Sequence, residues 1–114
     1  MKKMLIPKGR RNRPGKKRKP LGILYHTTNN WAKGADAIAH GNYLRNTNEA
    51  KSWHVTIDSN VSVQHLPFDE NAYHAGDGGS GHYNTYWIGV EICTNNVSSS
   101  DPLDNATYNR AVQE

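Results

Sequence analysis

The chain has 114 residues, 14 Lys and Arg against 10 Asp and Glu, and a formal net charge of +4. That length holds one domain with one modest core, and no apolar run is long enough to cross a bilayer. A single cysteine, Cys93, excludes an internal disulfide framework, and the N-terminal lysines have no apolar stretch behind them, so the sequence reads as soluble, made without a secretory signal.

The charge is segregated. Residues 1–20 carry ten of the 14 Lys and Arg and no acid, which leaves residues 21–114 with four bases against ten acids, a net of −6. Pro7, Pro14, Pro20, Gly9 and Gly15 break any helix there, so this segment is predicted to be an extended, largely solvated arm ahead of a domain at 21–114. Such an arm solubilises the chain, or drapes over the domain, or attracts a polyanion, either nucleic acid or an anionic cell-wall polymer. It lacks the interleaved aromatics that stack on single-stranded bases.

Beyond the arm the chain reads as α/β. Residues 21–26 predict a strand with Leu21, Ile23 and Tyr25 on one face and Leu24 and His26 on the other. Residues 34–45 predict a helix, with Ala35, Ile38 and Ala39 at helical spacing. WHVTID at 53–58 and VSVQHL at 61–66 alternate on either side of Ser59-Asn60, the pattern of a β-hairpin. A glycine-rich loop follows at 75–86. WIGVEIC at 87–93 is apolar on both faces and predicts a central strand. Asp101 and Pro102 open a further helix as N-cap and first helical residue.

Gly76, Gly78 and Gly81 satisfy G-x-G-x-x-G, but a dinucleotide fingerprint follows a strand and opens a helix. Here a strand follows, so the glycines are read as freedom for a tight loop near a site.

Six histidines are numerous for so polar a domain. His40 and His82 read as partly exposed surface residues, and His65 as structural. His54 either lines a cleft or faces water. His26 and His74 each follow a tyrosine and precede small residues that leave room beside the ring. Glu91 is the other anomaly: an ionisable carboxylate inside a central strand costs several kcal/mol unless something pairs with it. A strand-borne carboxylate near strand-end histidines suggests a metal-hydrolase site in which the acid works on water. Cys93 shares the face of Glu91 and reads either as a soft ligand or as core.

Four motifs, in this order, resemble the type 2 N-acetylmuramoyl-L-alanine amidases, the zinc enzymes of phage endolysins and bacterial autolysins related to peptidoglycan-recognition proteins. They are Gly22-Ile23-Leu24-Tyr25-His26-Thr27-Thr28, Ser52-Trp53-His54-Val55-Thr56-Ile57-Asp58, Ala72-Tyr73-His74-Ala75-Gly76-Asp77-Gly78 and Ile88-Gly89-Val90-Glu91-Ile92-Cys93. Asn12-Arg13-Pro14-Gly15 resembles the lead-in of the endolysin branch. The resemblance implies a mixed central β-sheet flanked by helices, and cleavage of the amide between N-acetylmuramic acid and L-alanine. It implies Zn2+ as cofactor, His26 as a zinc ligand, Glu91 as the catalytic acid–base residue, and His74, Trp53 and His54 as substrate-binding residues.

The family's remaining zinc ligands follow the helix that begins near Pro102, so the resemblance implies that they lie beyond Glu114 and that the catalytic domain is incomplete at its C-terminus. Bacterial peptidoglycan is the partner it implies, reached at the cell wall after synthesis in the cytoplasm and release. Anionic wall polymers are expected on the arm, nucleic acid and membrane are not, and a monomer is expected. The alternative reading is a non-catalytic peptidoglycan-binding module of the same fold.

Overall fold

The computed structural model describes residues 1–95; the helix expected from Asp101 lies outside them. Seven elements follow one another: β1 (Lys2–Lys3), β2 (Gly22–Thr27), α1 (Ala37–Asn46), β3 (Val55–Ile57), β4 (Ser62–Gln64), α2 (His82–Tyr86) and β5 (Trp87–Ile92). The strands form one mixed sheet in the order β1-β4-β3-β5-β2. β3 and β4 are the predicted antiparallel hairpin, whereas β5 runs parallel to both β3 and β2. The predicted central strand is indeed internal.

Asp58 does two local jobs. Its Oδ1 accepts from the backbone N–H groups of Asn60 and Val61, each at 2.7 Å, which closes the hairpin as an Asx turn. Its Oδ2 accepts from the N–H of Ala37 at 2.9 Å, one of the unpaired donors at the start of α1. Asp36 caps the same helix, accepting from Ala39 N at 2.9 Å. Hairpin and helix are thereby tied through the one carboxylate of Asp58.

α1 turns Leu44 inward onto Ile6, Trp53, Leu66 and Ala72, and Ala37 onto Met4, Val63 and Cys93. A second layer gathers Val55, Ile57, Val90 and Ile92, the residues that strand alternation sends to the opposite face. Among the described residues β2 is at the edge of the sheet, and Ile23 and Tyr25, with Leu21 just before it, do share a face as expected, but that face is exposed, with Leu21 at 62%.

Three expectations need correction. The segment 1–20 is extended but not a solvated arm: β1 pairs in parallel with β4, Met4 and Ile6 are buried, and Asn12 is fully buried, its Nδ2 donating to the carbonyls of Leu44 and Lys51. Arg13 forms a bidentate pair with Glu70 at 3.0 and 2.9 Å, two sides of a charge pair that is largely out of water. The apolar residues between its lysines are few, yet they enter the main core. His40, expected at the surface, is buried, with Nδ1 at 2.7 Å from the carbonyl of Asp36. The glycine-rich stretch closes with a short helix, α2, rather than remaining loop to its end.

The arm's packing sets a direct test. Ile6→Ala removes a fully buried side chain, and the expected loss of unfolding free energy is about 2–5 kcal/mol, measured by denaturant unfolding. A loss below about 0.5 kcal/mol would mean that residues 1–6 are loosely held.

Candidate active site

The site is built on the C-terminal half of the β2–β5 ladder. Parallel pairing sets His26 beside Glu91 and Thr27 beside Ile92, while on the other side of β5 Thr56 stands beside Glu91. Partners in register point their side chains to the same face, so the imidazole and the carboxyl share one surface. The sheet interior around them is apolar. Burial therefore raises the Glu91 carboxyl to about 7, opposed in part by the positive charge of Lys51. Glu91 Oε2 is buried with no hydrogen-bond partner among the described residues.

His74 reaches the same surface from the segment before the glycine loop. Its backbone N–H and that of Ala75 both donate to Asn84 Oδ1, at 2.8 and 2.7 Å. Asn84 in turn donates to Gly78 O at 3.1 Å, and Asp77 accepts from the N–H groups of Tyr83 and Asn84 at 2.8 and 3.1 Å. Gly76 and Gly78 take positive φ values of 71° and 83°, a conformation that side chains resist. These two polar residues and two glycines fold the loop back so that His74 lies over β5. Sequence reading missed Asp77 and Asn84 as its organisers. The signal available was the A-G-D-G spacing, which is a turn signature without a stated partner.

The His74 ring lies against Gly89, where an added Cβ would come within 2.6 Å of it. Its Nδ1 is 3.3 Å from His26 Nε2, and its Nε2 is 3.0 Å from the Trp87 carbonyl. Burial lowers the pKa of both His26 and His74; for His74 the backbone carbonyls of Trp87 and Tyr83 oppose the shift.

The structure thus brings His26, His74 and Glu91 together. It does not bring His54 to the cleft. His54 is fully buried and held on both nitrogens: Nδ1 accepts from Gly89 N–H at 2.9 Å and Nε2 donates to Glu70 O at 2.7 Å, with Arg18 Nη2 3.3 Å from Nε2. Burial takes its pKa to about 4, so it is a neutral brace beside β5, its ring centroid 6.2 Å from that of His74, and, fully buried, it is not the exposed substrate contact that was expected. Trp53 is 3% exposed, its indole N–H donating to Thr56 Oγ1 at 2.7 Å. It forms part of the wall of a cavity of about 400 Å³, shared with Thr28, Ala39, Tyr43, Lys51 and Glu91. That cavity reaches Glu91 but not the histidine pair. Cys93 is buried in the α1 core with its thiol pushed up to about 12 by burial, which suits packing and not ligation. His65 is structural as expected, its Nε2 2.6 Å from Thr56 Oγ1, and His82 is exposed.

Among the described residues no three metal-ligating side chains converge. What is present fits one corner of a metal centre: a half-buried imidazole at a strand end, next to a carboxyl with an unpaired oxygen.

The chain matches the N-acetylmuramoyl-L-alanine amidase family over residues 16–113. It belongs to that family. It is 50% identical over 95 residues to the N-acetylmuramoyl-L-alanine amidase CwlH of Bacillus subtilis, covering 83% of this chain and 38% of that protein. Over 91 residues it is 54% identical to XlyA of the same species, covering 79% of this chain and 30% of the relative. The chain therefore spans less than two fifths of either curated relative. Among solved structures, the catalytic domain of XlyA superposes with a TM-score of 0.78 at 49% identity, covering 82% of this chain and 60% of that one. PlyL superposes with a TM-score of 0.83 at 29% identity, covering 99% and 68%. The mixed-sheet amidase fold expected from the four motifs is the fold observed.

The electrostatics of Glu91 can be read directly by carboxyl NMR. Its titration is expected near pH 7, and because Lys51 lowers that value, Lys51→Met is expected to move the midpoint upward. A midpoint near the ordinary carboxylate value, about 4.3, would show that the site is wet and the carboxyl well solvated.

Proposed function

We propose that this domain hydrolyses the amide between N-acetylmuramic acid and L-alanine in bacterial peptidoglycan, with zinc as cofactor. The observation that carries the reading is the pairing of His26 with Glu91 across β2 and β5 in a chain of this family. Zinc, when bound, supplies Lewis-acid polarisation of the scissile carbonyl and of water. His26 contributes one ligand to it, and the others are expected beyond Glu114, in the length that the longer relatives possess.

Glu91 carries the proton work. A carboxyl raised to about 7 is a far better proton acceptor at neutral pH than an ordinary carboxylate. It takes the proton of the attacking water and returns it to the leaving nitrogen, so that the lactyl carbonyl becomes a carboxylic acid and the stem peptide leaves as an amine. The cavity beside Glu91, walled by Trp53 and Tyr43, has an apolar side for one flank of the substrate. His74 faces the same surface and limits the position of the amide on the other.

The reading predicts that the domain, extended to the length of its solved relatives, releases peptide amines from purified peptidoglycan and stops when zinc is chelated. Glu91→Gln should keep zinc and fold yet lower turnover about 10²–10⁴-fold. A drop of less than about threefold would place the base elsewhere. Zinc binding without any release of peptide from the wild type would favour a binding module of the same fold.

The basic segment has a separate partner in this proposal. Lys2, Lys3, Lys8 and Lys19 are exposed while their backbone is part of the fold. They attract anionic wall polymers through charge that salt screens, with a Debye length of about 10 Å at 0.1 M and about 3 Å at 1 M. Exchanging these four lysines for glutamine is expected to weaken sedimentation with teichoic-acid-bearing walls at low salt and to change nothing near 1 M. Equal sedimentation of both proteins at low salt would remove the role.

A further inference from the structure

Two histidines meet edge to edge at the site, and the atoms around them decide which nitrogen carries which proton. His74 Nε2 lies 3.0 Å from the Trp87 carbonyl. A carbonyl oxygen only accepts, so in the neutral ring Nε2 holds the hydrogen and Nδ1 holds the lone pair. That Nδ1 faces His26 Nε2 at 3.3 Å. Two lone pairs do not face one another at that distance, so His26 Nε2 carries a hydrogen and donates it. The consequence is that the lone pair of His26 is on Nδ1, for which the described residues supply no partner.

We infer that His74 is a positioning residue for His26: the relay from His26 Nε2–H to His74 Nδ1, and from His74 Nε2–H to the Trp87 carbonyl, fixes the tautomer that presents His26 Nδ1 to the metal. The inference rests on the zinc role of His26 proposed above and adds to it the ligating atom and the residue that selects it. Outer partners of this kind orient metal-binding imidazoles and raise their basicity. The rings lie 5.5 Å apart between centroids at 65°, the edge-on approach that an N–H···N contact needs.

The fold has a provision for this contact. Gly89 lies under the His74 ring, and a Cβ there would approach ring atoms at 2.6 to 2.9 Å. That is nearer than a side chain tolerates, so any larger residue lifts the ring from β5 and away from His26. His54 holds the same glycine by accepting its N–H, with its ring centroid 6.2 Å from that of His74. Gly89 and His54 thus set the height of His74, and His74 sets the tautomer of His26.

The test uses the whole 114-residue chain, free of metal, with nitrogen-detected NMR of the imidazoles. The wild type is expected to show a His26 Nε2–H signal protected from solvent exchange, together with a lone pair on His74 Nδ1. His74→Ala should lose that protection, and so should Gly89→Ala. His74→Asn should restore it, because the amide oxygen takes the place of Nδ1, whereas a merely structural role for the ring would not be rescued by that acceptor. Each variant's backbone spectrum verifies folding, and the Asn variant keeps the test usable if the Ala variant unfolds.

Addition of zinc should then shift Nδ1 of His26, with apparent affinity lower about 10-fold or more in His74→Ala. A solvent-exchanging His26 Nε2–H in the wild type would overturn the relay. So would zinc shifting His26 Nε2 and His74 Nδ1 together, since a metal would then occupy the space assigned to the hydrogen bond. Absence of any zinc-induced shift, with the protected Nε2–H present, would count against the zinc reading of His26 and leave the relay standing.

Discussion

The parallel pairing of β2 with β5, in a register that sets His26 opposite Glu91, is the constraint on which the rest of the site depends. A slip of one residue would send both side chains to the other face. The register is held from both ends of the neighbourhood. On the inner side β5 also pairs with β3, so Glu91 has Thr56 as its other neighbour. At Gly89, two residues earlier, His54 accepts the backbone N–H. The strand that carries the carboxyl is thus fixed by two ladders and one buried imidazole, while β2, which carries His26, has one ladder among the described residues.

Desolvation does the chemical tuning. Glu91 sits where apolar packing withdraws water, and the result is a carboxyl raised to about 7 rather than a paired anion. Lys51, a cation on the wall of the same cavity, moderates the effect through its charge. The same burial makes the nearby histidines neutral, which suits them to accept or donate single hydrogen bonds in fixed directions. Some polar groups in this interior bridge distant parts of the chain: the buried side chains of Asn12, Asp58 and Asn84 each bond backbone groups of other segments.

The basic segment changes meaning when seen in three dimensions. Its charges remain outward, but Met4, Ile6, Asn12 and Arg13 tie it to α1, β4 and Glu70. Glu70 links further, through its carbonyl, to His54 and so to β5. The twenty residues are thus a structural strap whose lysines stay at the surface while Met4, Ile6 and Asn12 are buried.

Alternation alone revealed the hairpin of β3 and β4, the doubly apolar β5 and the polar oddity of Glu91, since period-2 patterns report burial directly. The four ordered motifs were sufficient to name the family and its fold. Other features depended on contacts distant in sequence. His54 alternates like a cleft residue, but the Glu70 carbonyl and the Gly89 amide, which come from other segments, make it a buried brace. His40 carries no sequence mark of burial, and only the packing of α1 against the sheet covers it. Met4 and Ile6 are two apolar residues among lysines, too few to predict a buried segment, until a sheet edge at β4 offers them a place. The sequence by itself determined the family and the strands β2 to β5, because motif order and period-2 alternation are local properties of the chain. The tertiary structure decided which partner each nitrogen of His54 and His74 meets, because those partners come from elsewhere in the chain.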